Sequence, residues 1–363
     1  MKSITWVTPT YFIDVDIQIV PKLSDVYKIS WVIFGNKKPE IFSSMESLQN
    51  DNLTLEYYEI KSKWYSPLSF FENIRLNNYL KGKKGDIVYY NSAPQLFAYY
   101  AAKFTLPVDT TIFATHNVKT PKGASREAMA RYYMGKLLRH YNNFQVFSNN
   151  QKKYLESWVS GKNVLYAPLT LKDYGQSKRH NYNRDCVNFL SFGHIRNYKR
   201  VDILILAAQK LYEETNIKFK VTITGTCNNW DAYLKLIKHP EIFDLRIGFV
   251  ADSSIPTLFA NADYLVLPYQ DLAQSGAITV AFNYYIPVIT SDIPQFKEFV
   301  EEGQNGFLFK SESIEDLKDK MKMLLEMPES NYFQLQMTTK KYVEKNYSLQ
   351  AIADKYTDYF NRF

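Results

Sequence analysis

Cysteine is scarce in this chain of 363 residues, which contains only Cys186 and Cys227. Two cysteines are too few for a disulfide framework or a four-ligand zinc site, so we expect each to pack as a small apolar side chain. Long apolar runs are also missing, because no stretch approaches the roughly 20 residues that a membrane-spanning helix needs. These absences argue against a disulfide-rich secreted domain and against a membrane-spanning protein.

Two further signatures are missing. No Gly-x-Gly-x-x-Gly fingerprint occurs, which weakens a nicotinamide-dependent dehydrogenase as an interpretation. Asp14-Val15-Asp16 has the Asp-x-Asp spacing of a metal-binding pair, but it lies near the start of the chain and is predicted to belong to the beginning of a helix. We therefore expect no metal site and no bound cofactor.

The apolar sequence that is present suffices for two folded domains. Hydrophobic residues make up 46% of the chain, and its 363 residues exceed the usual size of a single core. Strand-like and helix-like runs alternate, which is typical of a parallel sheet covered by helices on both faces. The predicted strands are residues 4–8, 29–34, 53–58, 86–90, 110–115, 144–147, 164–166, 187–192, 219–224, 245–250, 263–267, 288–290 and 307–309. The helices we predict with definite bounds are residues 68–80, 95–104, 125–141, 278–285, 313–327 and 349–360.

A polar stretch at residues 171–185 interrupts this alternation and predicts a domain boundary. We expect an N-terminal Rossmann-like domain over residues 1–180 and a C-terminal one over residues 181–345. A last helix lies within residues 346–363. The fold class is therefore α/β, with two Rossmann-like domains.

The segment from Phe192 to Asp202 follows a predicted strand and opens a predicted helix. Gly193 permits a tight turn there, and Arg196 and Lys199 place two cations at the carboxyl end of the strand. Open α/β sheets bind their ligands at that end, and this pair of cations favours a phosphate or diphosphate. A solvated loop without a ligand is the alternative.

A second segment, about 75 residues further on, has the same character. The apolar strand that ends in Pro268-Tyr269 is followed by Gln274-Ser275-Gly276 and then by a predicted helix. Backbone amides at a helix start attract anions, and Gly276 has no side chain to block their approach. The alternative is an ordinary strand-to-helix loop in which Ser275 caps the helix.

Taken together, the segments resemble a known family. The order Phe-Gly-x-Ile-Arg-x-x-Lys, Thr-Gly, Phe249-Val250, Leu-Pro-Tyr-x-x-x-x-Gln-Ser-Gly and Pro-Val-Ile over residues 187–325 is similar to the donor-binding half of the group 1 glycosyltransferases of family 4. The resemblance implies the GT-B fold, in which two Rossmann-like domains face each other across a cleft, with the C-terminal helix crossing back to the first domain. It also implies retaining transfer of a hexose from a nucleotide-sugar donor.

The resemblance carries functional roles onto particular residues. It implies catalytic roles for His116, Arg196 and Lys199, of which His116 ends a predicted strand of the first half and would face the donor sugar. The implied donor-binding residues are Gly193, Val250, Gln274, Ser275, Gly276, Ala277 and Thr279.

The chain departs from the family pattern in three places, which together involve four positions. The usual pair of Glu residues eight positions apart reads Leu272 and Val280 here, so the carboxylate that normally holds the ribose is missing. His194 replaces the usual Arg after the glycine, and Arg200 replaces the usual glycine after the Lys. The manner of ribose recognition is consequently open, and the missing pair also allows a non-catalytic protein that binds a nucleotide sugar.

Positive charge is concentrated in the first half. Residues 1–180 contain 24 Lys and Arg against 14 Asp and Glu, a balance of +10, whereas the remainder has a balance of −3. Residues 126–140 form a predicted amphipathic helix with Arg131, Lys136 and Arg139 on its polar face. This pattern favours contact with an anionic membrane surface. An ordinary surface helix packed on a core is the alternative.

The whole sequence favours a metal-independent glycosyltransferase of bacterial surface polysaccharide synthesis. Its partners would be a UDP- or GDP-linked donor, a glycan or polyprenyl-diphosphate-linked acceptor and an anionic membrane, without nucleic acid. The first residues reach Pro9 too early for a signal peptide, so we expect a cytoplasmic protein, peripheral at the inner face of the cell membrane. A nucleotide-sugar epimerase of the same fold is the alternative enzyme.

Overall fold

The computed structural model describes residues 1–119, 127–176, 186–272 and 275–363, which fall into two compact units. The first unit comprises Met1–Thr170 and Ser348–Phe363, and the second comprises Leu171–Tyr347. Each unit is built on one sheet whose paired strands are all parallel.

The first unit has seven strands in the order β3-β2-β1-β4-β5-β6-β7. These strands are β1 (Ser3–Pro9), β2 (Lys28–Gly35), β3 (Leu53–Glu59), β4 (Ile87–Tyr90), β5 (Thr111–Thr115), β6 (Asn143–Val146) and β7 (Asn163–Tyr166). Its helices are α1 (Ile13–Asp16), α2 (Ile19–Leu23), α3 (Phe42–Met45), α4 (Leu68–Gly82), α5 (Leu96–Thr105), α6 (Glu127–His140) and α7 (Asn149–Trp158). Every residue of β4, β5 and β6 is buried, as expected for parallel strands covered on both faces.

The second unit has six strands in the order β10-β9-β8-β11-β12-β13. These strands are β8 (Val187–Phe192), β9 (Phe219–Gly225), β10 (Phe243–Ile247), β11 (Tyr264–Leu267), β12 (Val288–Ser291) and β13 (Gly306–Phe309). Its helices are α8 (Val201–Glu214), α9 (Trp230–Leu234), α10 (Ile255–Ala260), α11 (Gly276–Asn283), α12 (Ile314–Leu325) and α13 (Glu329–Tyr347).

Both sheets change direction at the same point in their topology. The chain starts in the middle of the sheet, moves outward to one edge and then returns to fill the other edge. The reversal falls between β1 and β4 in the first unit and between β8 and β11 in the second. Loops at the carboxyl ends of strands on either side of such a reversal leave a crevice, where open α/β sheets bind ligands.

The last helix, α14 (Leu349–Phe360), belongs to the first unit although it follows the second in the chain. Its buried face presents Tyr356 and Phe360 to an aromatic core around Trp6 and Tyr89, whose rings stack at 3.8 Å. Gln145 of β6 donates a 2.6 Å hydrogen bond to the hydroxyl of Tyr356. These contacts make α14 part of the first core.

All thirteen predicted strands are present. The largest difference in bounds is at β10, which was predicted over residues 245–250 and is observed over Phe243–Ile247. The predictions missed two long helices, α7 and α13. Helix α13 was missed because its buried side chains are sparse among polar ones, and one of them is Thr339. Asp14 and Asp16 lie in α1, as expected.

Helix α6 corrects one expectation about membrane contact. Its apolar residues Tyr133, Met134, Leu137 and Leu138 are buried in the core of the first unit, so they cannot enter a bilayer while the domain is folded. Its cations are partly engaged, since Arg131 pairs with Glu127 at 2.6 Å and Lys136 donates to the hydroxyl of Tyr100 at 2.9 Å. The apolar face of α6 therefore packs on the core, as the alternative of an ordinary surface helix predicts. Residues 125 and 126, which the predicted helix also included, lie outside the described residues.

Within the described ranges, no helix is both long enough and apolar enough to cross a bilayer.

Phe360→Ala should destabilise the first unit. The Phe360 ring is fully buried and lies 5.6 Å from Tyr27, 6.2 Å from Tyr89 and 6.4 Å from Trp6, centroid to centroid. Removing a ring from such a site leaves a cavity and should lower the free energy of unfolding by about 3–5 kcal/mol. Urea unfolding measures the change, and Phe333→Ala, at a ring that is 46% exposed, is the matched control. Equal effects of the two substitutions would show that α14 is not part of the core.

Candidate active site

The loop after β8 is held by two glycines that lie against each other. Gly193 has φ +101° and Gly225, at the end of β9, has φ +136°, both in the region that favours glycine. A Cβ on Gly225 would stand 2.3 Å from the carbonyl oxygen of Gly193, so no side chain fits. The backbone amide of Gly193 donates to the carbonyl oxygen of Thr224 at 3.0 Å, and the amide of Ile195 donates to the carbonyl oxygen of Thr226 at 2.8 Å. The loop is thus fastened to its neighbour before it reaches the cations.

Arg196 and Lys199 follow on a short 3-10 turn, Asn197–Lys199. Arg196 is exposed, whereas Lys199 is partly buried, with its Nζ 5.0 Å from the ring centroid of Tyr269. Burial, and secondarily the charge of Arg196, lower the pKa of Lys199 to about 8. An anion bound beside Lys199 would stabilise its charged ammonium form, which burial and Arg196 disfavour.

Arg200 and His194, the two replacements in this loop, have structural partners. Arg200 forms ion pairs with Asp202 and Glu312 at 2.9 and 2.5 Å. Its φ of +47° is the left-handed conformation, which explains why glycine is usual at this position. His194 is bonded through Nδ1 to the hydroxyl of Thr226. This leaves Arg196 and Lys199 as the cations of this loop without an ion-pair partner among the described residues.

The loop after β11 lies directly across the reversal point. Its Gln270 amide donates to the carbonyl of Tyr198 at 2.8 Å, which joins the two loops through their backbones. Tyr269 is 4% exposed and packs edge-to-face against Tyr198 at 6.0 Å. Burial raises the pKa of Tyr269, while a hydrogen bond with the side chain of Ser275 lowers it by less. Tyr269 thus contacts Lys199 on one side and the start of α11 on the other.

The start of α11 provides the second half of the site. Ser275 caps the helix by accepting from the amide of Ile278 at 3.4 Å, so its capping role is observed. Gly276 is exposed, and Thr279 donates to its carbonyl at 2.8 Å. Ala277 is 8% exposed and follows in the first turn. Gln274, also predicted to bind the donor, lies outside the described residues.

Lys172 is a further cation at this helix start that the sequence did not indicate. A Cβ built on Gly276 would lie 3.9 Å from both Cε and Nζ of Lys172. Lys172 belongs to the polar stretch that predicts a domain boundary, and it is separated from Gly276 by 104 positions in the sequence. No sequence spacing could reveal this neighbour, because only the folded second unit brings the two segments together.

Phe249 and Val250 follow β10 on the same carboxyl edge. Gly248, with φ +148°, is tied by its amide to the carbonyl of Gly225 at 3.0 Å. Val250 is partly buried, whereas the Phe249 side chain is 85% exposed. The positions of the missing Glu pair, Leu272 and Val280, are 4% and 1% exposed and pack in the core.

His116 lies in the first unit, directly after β5. Its ring is stacked between Phe12 at 3.8 Å and Phe147 at 4.3 Å, and burial lowers its pKa to about 3. His116 is therefore neutral at physiological pH. Its Nε2 lies 2.8 Å from Oδ1 of Asn91, the residue that follows β4.

A chain of hydrogen bonds determines the tautomer of His116. Asn91 donates through Nδ2 to the Asp16 carboxylate at 2.8 Å, so its Oδ1 must accept from His116. Nε2 of His116 then carries the proton, which leaves Nδ1 as the acceptor nitrogen. Asp16 also accepts from Trp6 and Thr8. The sequence showed His116 but not this chain of supporting residues.

The structure gathers the predicted residues of the second unit on one edge of its sheet. Gly193, Arg196 and Lys199 lie on the β8 side of the reversal, and Ser275, Gly276, Ala277 and Thr279 lie on the β11 side. Val250 lies on the same edge, after β10. Among the described residues, no group of three or more His, Cys, Asp or Glu side chains is placed to hold a metal ion.

Residues 176–346 match the sequence model of a family described as Glycosyl transferases group 1. The matched residues fall within the second unit, Leu171–Tyr347, and span most of it. A protein of Haemophilus influenzae described as an uncharacterized glycosyltransferase is 25% identical over 173 residues. That match covers 46% of this chain and 47% of the relative, so it spans about half the length of each.

Solved structures extend the similarity of fold to the whole chain. The Anabaena protein Alr3699/HepE, crystallised in complex with UDP and glucose, superposes with a TM-score of 0.73 at 13% identity, covering 100% of both chains. The lipopolysaccharide outer core galactosyltransferase WaaB gives a TM-score of 0.69 at 15% identity, also over 100% of both chains. Together with the two parallel sheets, these likenesses confirm the predicted class of two Rossmann-like domains, GT-B.

Asp16→Asn should change how stability depends on pH. Burial raises the pKa of Asp16 to about 6 from 3.8, despite hydrogen bonds from Thr8, Trp6 and Asn91. Since the folded state holds the proton more tightly, the contribution of Asp16 to the free energy of unfolding should fall as pH rises from about 4 to 6, by roughly 3 kcal/mol. Unfolding by urea at pH 4 and pH 7 measures this in both proteins, and a difference that stays constant with pH would contradict it.

Proposed function

We propose that the protein is a glycosyltransferase that moves a hexose from a nucleoside-diphosphate donor to a glycan or lipid-linked acceptor, with retention at the anomeric carbon. The observation that carries the proposal is the pairing of Arg196 and Lys199 with the start of α11 across the sheet reversal of the second unit. Both sides suit an anion, and they meet where a Rossmann-like sheet binds its ligand.

The chemistry follows from the charge that sugar transfer creates. When the glycosidic bond breaks, negative charge grows on the departing diphosphate, and fixed positive groups stabilise that state more than the bound donor. Lys199 and Arg196 would supply charge, while the amides near Gly276 and Ala277 would supply directed donors. With these groups no metal is required. In the retaining scheme, the departing phosphate helps to remove the proton of the acceptor hydroxyl.

We assign the remaining predicted residues to the same donor. Gly193 lets the diphosphate approach the backbone, Val250 packs near the nucleoside, and Ser275 and Thr279 hold the helix start. Gln274 is assigned to the donor on the sequence pattern alone. His116 would accept a hydrogen bond from a sugar hydroxyl through Nδ1, a role that its low pKa suits because it stays neutral.

The Anabaena structure, in which UDP and glucose are bound, supports a UDP-linked donor. The likeness to a lipopolysaccharide galactosyltransferase supports an acceptor of bacterial surface polysaccharide synthesis. Such an acceptor, carried on a polyprenyl diphosphate, would place the protein in the cytoplasm, peripheral at the inner face of the membrane. Incubation with radiolabelled UDP- and GDP-sugars and lipid-linked acceptors tests this. Absence of both transfer and nucleoside-diphosphate binding would refute it.

A non-catalytic nucleotide-sugar-binding protein is a second candidate. It is favoured by the apolar, buried Leu272 and Val280, which leave no carboxylate at either position of the usual Glu pair. Donor binding without turnover on any acceptor would select this candidate, and measurable transfer would eliminate it.

Arg196→Ala and Lys199→Ala should each lower turnover by roughly 10²-fold or more, the usual effect of losing a donor that stabilises developing charge. Turnover is measured by steady-state kinetics with whichever nucleotide sugar supports transfer in the radiolabelled panel. Circular dichroism checks that each variant is folded. Lys220→Ala removes an exposed cation from the start of β9, far along that strand from its carboxyl end, and is the matched control. Wild-type rates in both site variants would show that the phosphates bind elsewhere.

Lys172→Ala should weaken UDP binding about tenfold, a loss of about 1.4 kcal/mol. The reason is that Lys172 adds a charge-assisted contact at the start of α11, if the diphosphate lies there. Calorimetric titration with UDP and with uridine separates contacts to the phosphates from contacts to the nucleoside. Because uridine has no phosphate, it should bind the wild type and Lys172→Ala equally. An equal loss for uridine would assign Lys172 to folding rather than to the phosphates.

Binding of UDP should weaken above pH 8. The ammonium form of Lys199 binds the diphosphate, and its pKa of about 8 means that raising pH from 7 to 9 depletes that form roughly tenfold. The phosphates of UDP stay ionised over this range, so their charge does not change. Calorimetry from pH 7 to 9 should show the weakening in the wild type and not in Lys199→Met. The same slope in both proteins would assign the effect to another group.

A further inference from the structure

Five large apolar side chains lie exposed at one end of the first unit. Together they form what we call the aromatic patch: Trp64, Tyr65, Leu68, Phe71 and Phe104, which are 44%, 52%, 66%, 59% and 70% exposed. Single exposed apolar residues are ordinary on protein surfaces, but several large ones on neighbouring segments point to an interaction site.

The members of the aromatic patch are neighbours in space. Trp64 and Tyr65 lie in the turn before α4, with ring centroids 5.6 Å apart, and Ser69 donates to the Trp64 carbonyl at 3.2 Å. Leu68 and Phe71 follow three residues apart on one face of α4. Phe70 connects them to the end of α5, since its ring lies 5.4 Å from Phe71 and 6.4 Å from Phe104.

The core does not account for Leu68 and Phe71 of α4. Helix α4 buries a different face, formed by Ser69, Asn73, Leu76, Asn77 and Leu80. Its outward face, which in a surface helix is normally polar, begins instead with Leu68 and Phe71. An aromatic and aliphatic surface on the outside of the helix is therefore left for a partner.

Cations adjoin the aromatic patch. Lys61 and Lys63 lie in the same turn as Trp64, Arg75 lies one turn beyond Phe71, and Lys103 precedes Phe104; all four are exposed. Two acids lie in the same region, since Glu59 pairs with Lys61 at 3.5 Å and Glu72 accepts from the amide and hydroxyl of Ser62. The four cations therefore outnumber these two acids. By sequence, the first unit as a whole has 23 Lys and Arg against 15 Asp and Glu, a balance of +8.

We propose that the aromatic patch is a docking surface for an anionic lipid bilayer. Trp and Tyr favour the headgroup level, Leu and Phe favour the acyl boundary beneath it, and Lys and Arg attract lipid phosphates. The aromatic patch and its adjoining cations together provide these three kinds of side chain. Helix α6 offers cations only, because its apolar face is already buried in the core.

The inference rests on the peripheral membrane location proposed above and names the surface that makes the contact. Binding to lipid requires neither a donor nor turnover, so vesicle binding and sugar transfer can fail separately. The surface should hold the protein reversibly, since it has no acyl chain and no inserted helix. Because the cations act through solvent near the lipid headgroups, salt should weaken attachment. The apolar side chains of the aromatic patch should maintain part of the membrane binding at high salt, whereas a purely electrostatic contact would be lost.

The test is co-sedimentation of the whole protein with vesicles of phosphatidylcholine alone or mixed with phosphatidylglycerol. Leu68→Asp combined with Phe71→Asp should lower partitioning onto the anionic vesicles at least about tenfold, since it removes apolar contact and adds two negative charges. The matched control combines Phe333→Asp and Met337→Asp, an exposed apolar pair on α13 that is 46% and 56% exposed. That control should bind like the wild type. Circular dichroism and UDP binding confirm that each variant folds.

Depth of contact gives a second measurement that needs no charged substitution. Brominated lipids should quench the fluorescence of Trp64, so the quenching lost in Trp64→Phe reports contact of this turn with the acyl region. Failure of the wild-type protein to bind anionic vesicles, or equal binding by the Leu68 and Phe71 variant, would overturn the proposal. A wild type that binds only through Arg131 and Arg139, as shown by loss in Arg131→Glu with Arg139→Glu, would also overturn it and would assign the contact to α6.

Discussion

The contact between Gly193 and Gly225 is the constraint on which the candidate site depends. A Cβ on Gly225 would stand 2.3 Å from the Gly193 carbonyl oxygen, so the loops after β8 and β9 can meet only because Gly225 lacks a side chain. Gly193 contributes the φ of +101° that the turn of the β8 loop requires. The meeting directs the β8 loop across the sheet reversal, and the bond from Gln270 to Tyr198 joins it to the β11 loop. Lys199 is thereby placed beside Tyr269 and not in open solvent. Burial in this place, and secondarily the charge of Arg196, lower the pKa of Lys199.

The candidate residues of the two units are held in different charge states. In the second unit, the cation Lys199 is partly buried and pairs with no acid among the described residues, which favours an incoming anion. In the first, His116 is held neutral between two aromatic rings, and the chain from Asp16 through Asn91 presents its Nδ1 as an acceptor. Taken separately, the cationic environment of Lys199 suits an anion, and the neutral acceptor nitrogen of His116 suits a hydroxyl donor.

Much of the fold could be predicted from the sequence because parallel strands buried on both faces are short apolar runs, and all thirteen were found in that way. The site segments were equally visible, since a glycine with nearby cations and a Ser-Gly helix start are local patterns. Helix α13 was not visible, because its buried face includes Thr339 and its apolar residues are sparse. Lys172 and Asn91 could not be assigned either, because their neighbours Gly276 and His116 are distant in the chain and are reached only by folding.

The central claim is that a nucleoside diphosphate binds to the second unit, between the loops that follow the neighbouring strands β8 and β11. A crystal structure of the protein with UDP tests it most directly. The account predicts the diphosphate within hydrogen-bond distance of Arg196 or Lys199 on one side and of the first amides of α11 on the other. Ordered UDP at another edge of either sheet, with Arg196 and Lys199 in contact with solvent alone, would contradict it.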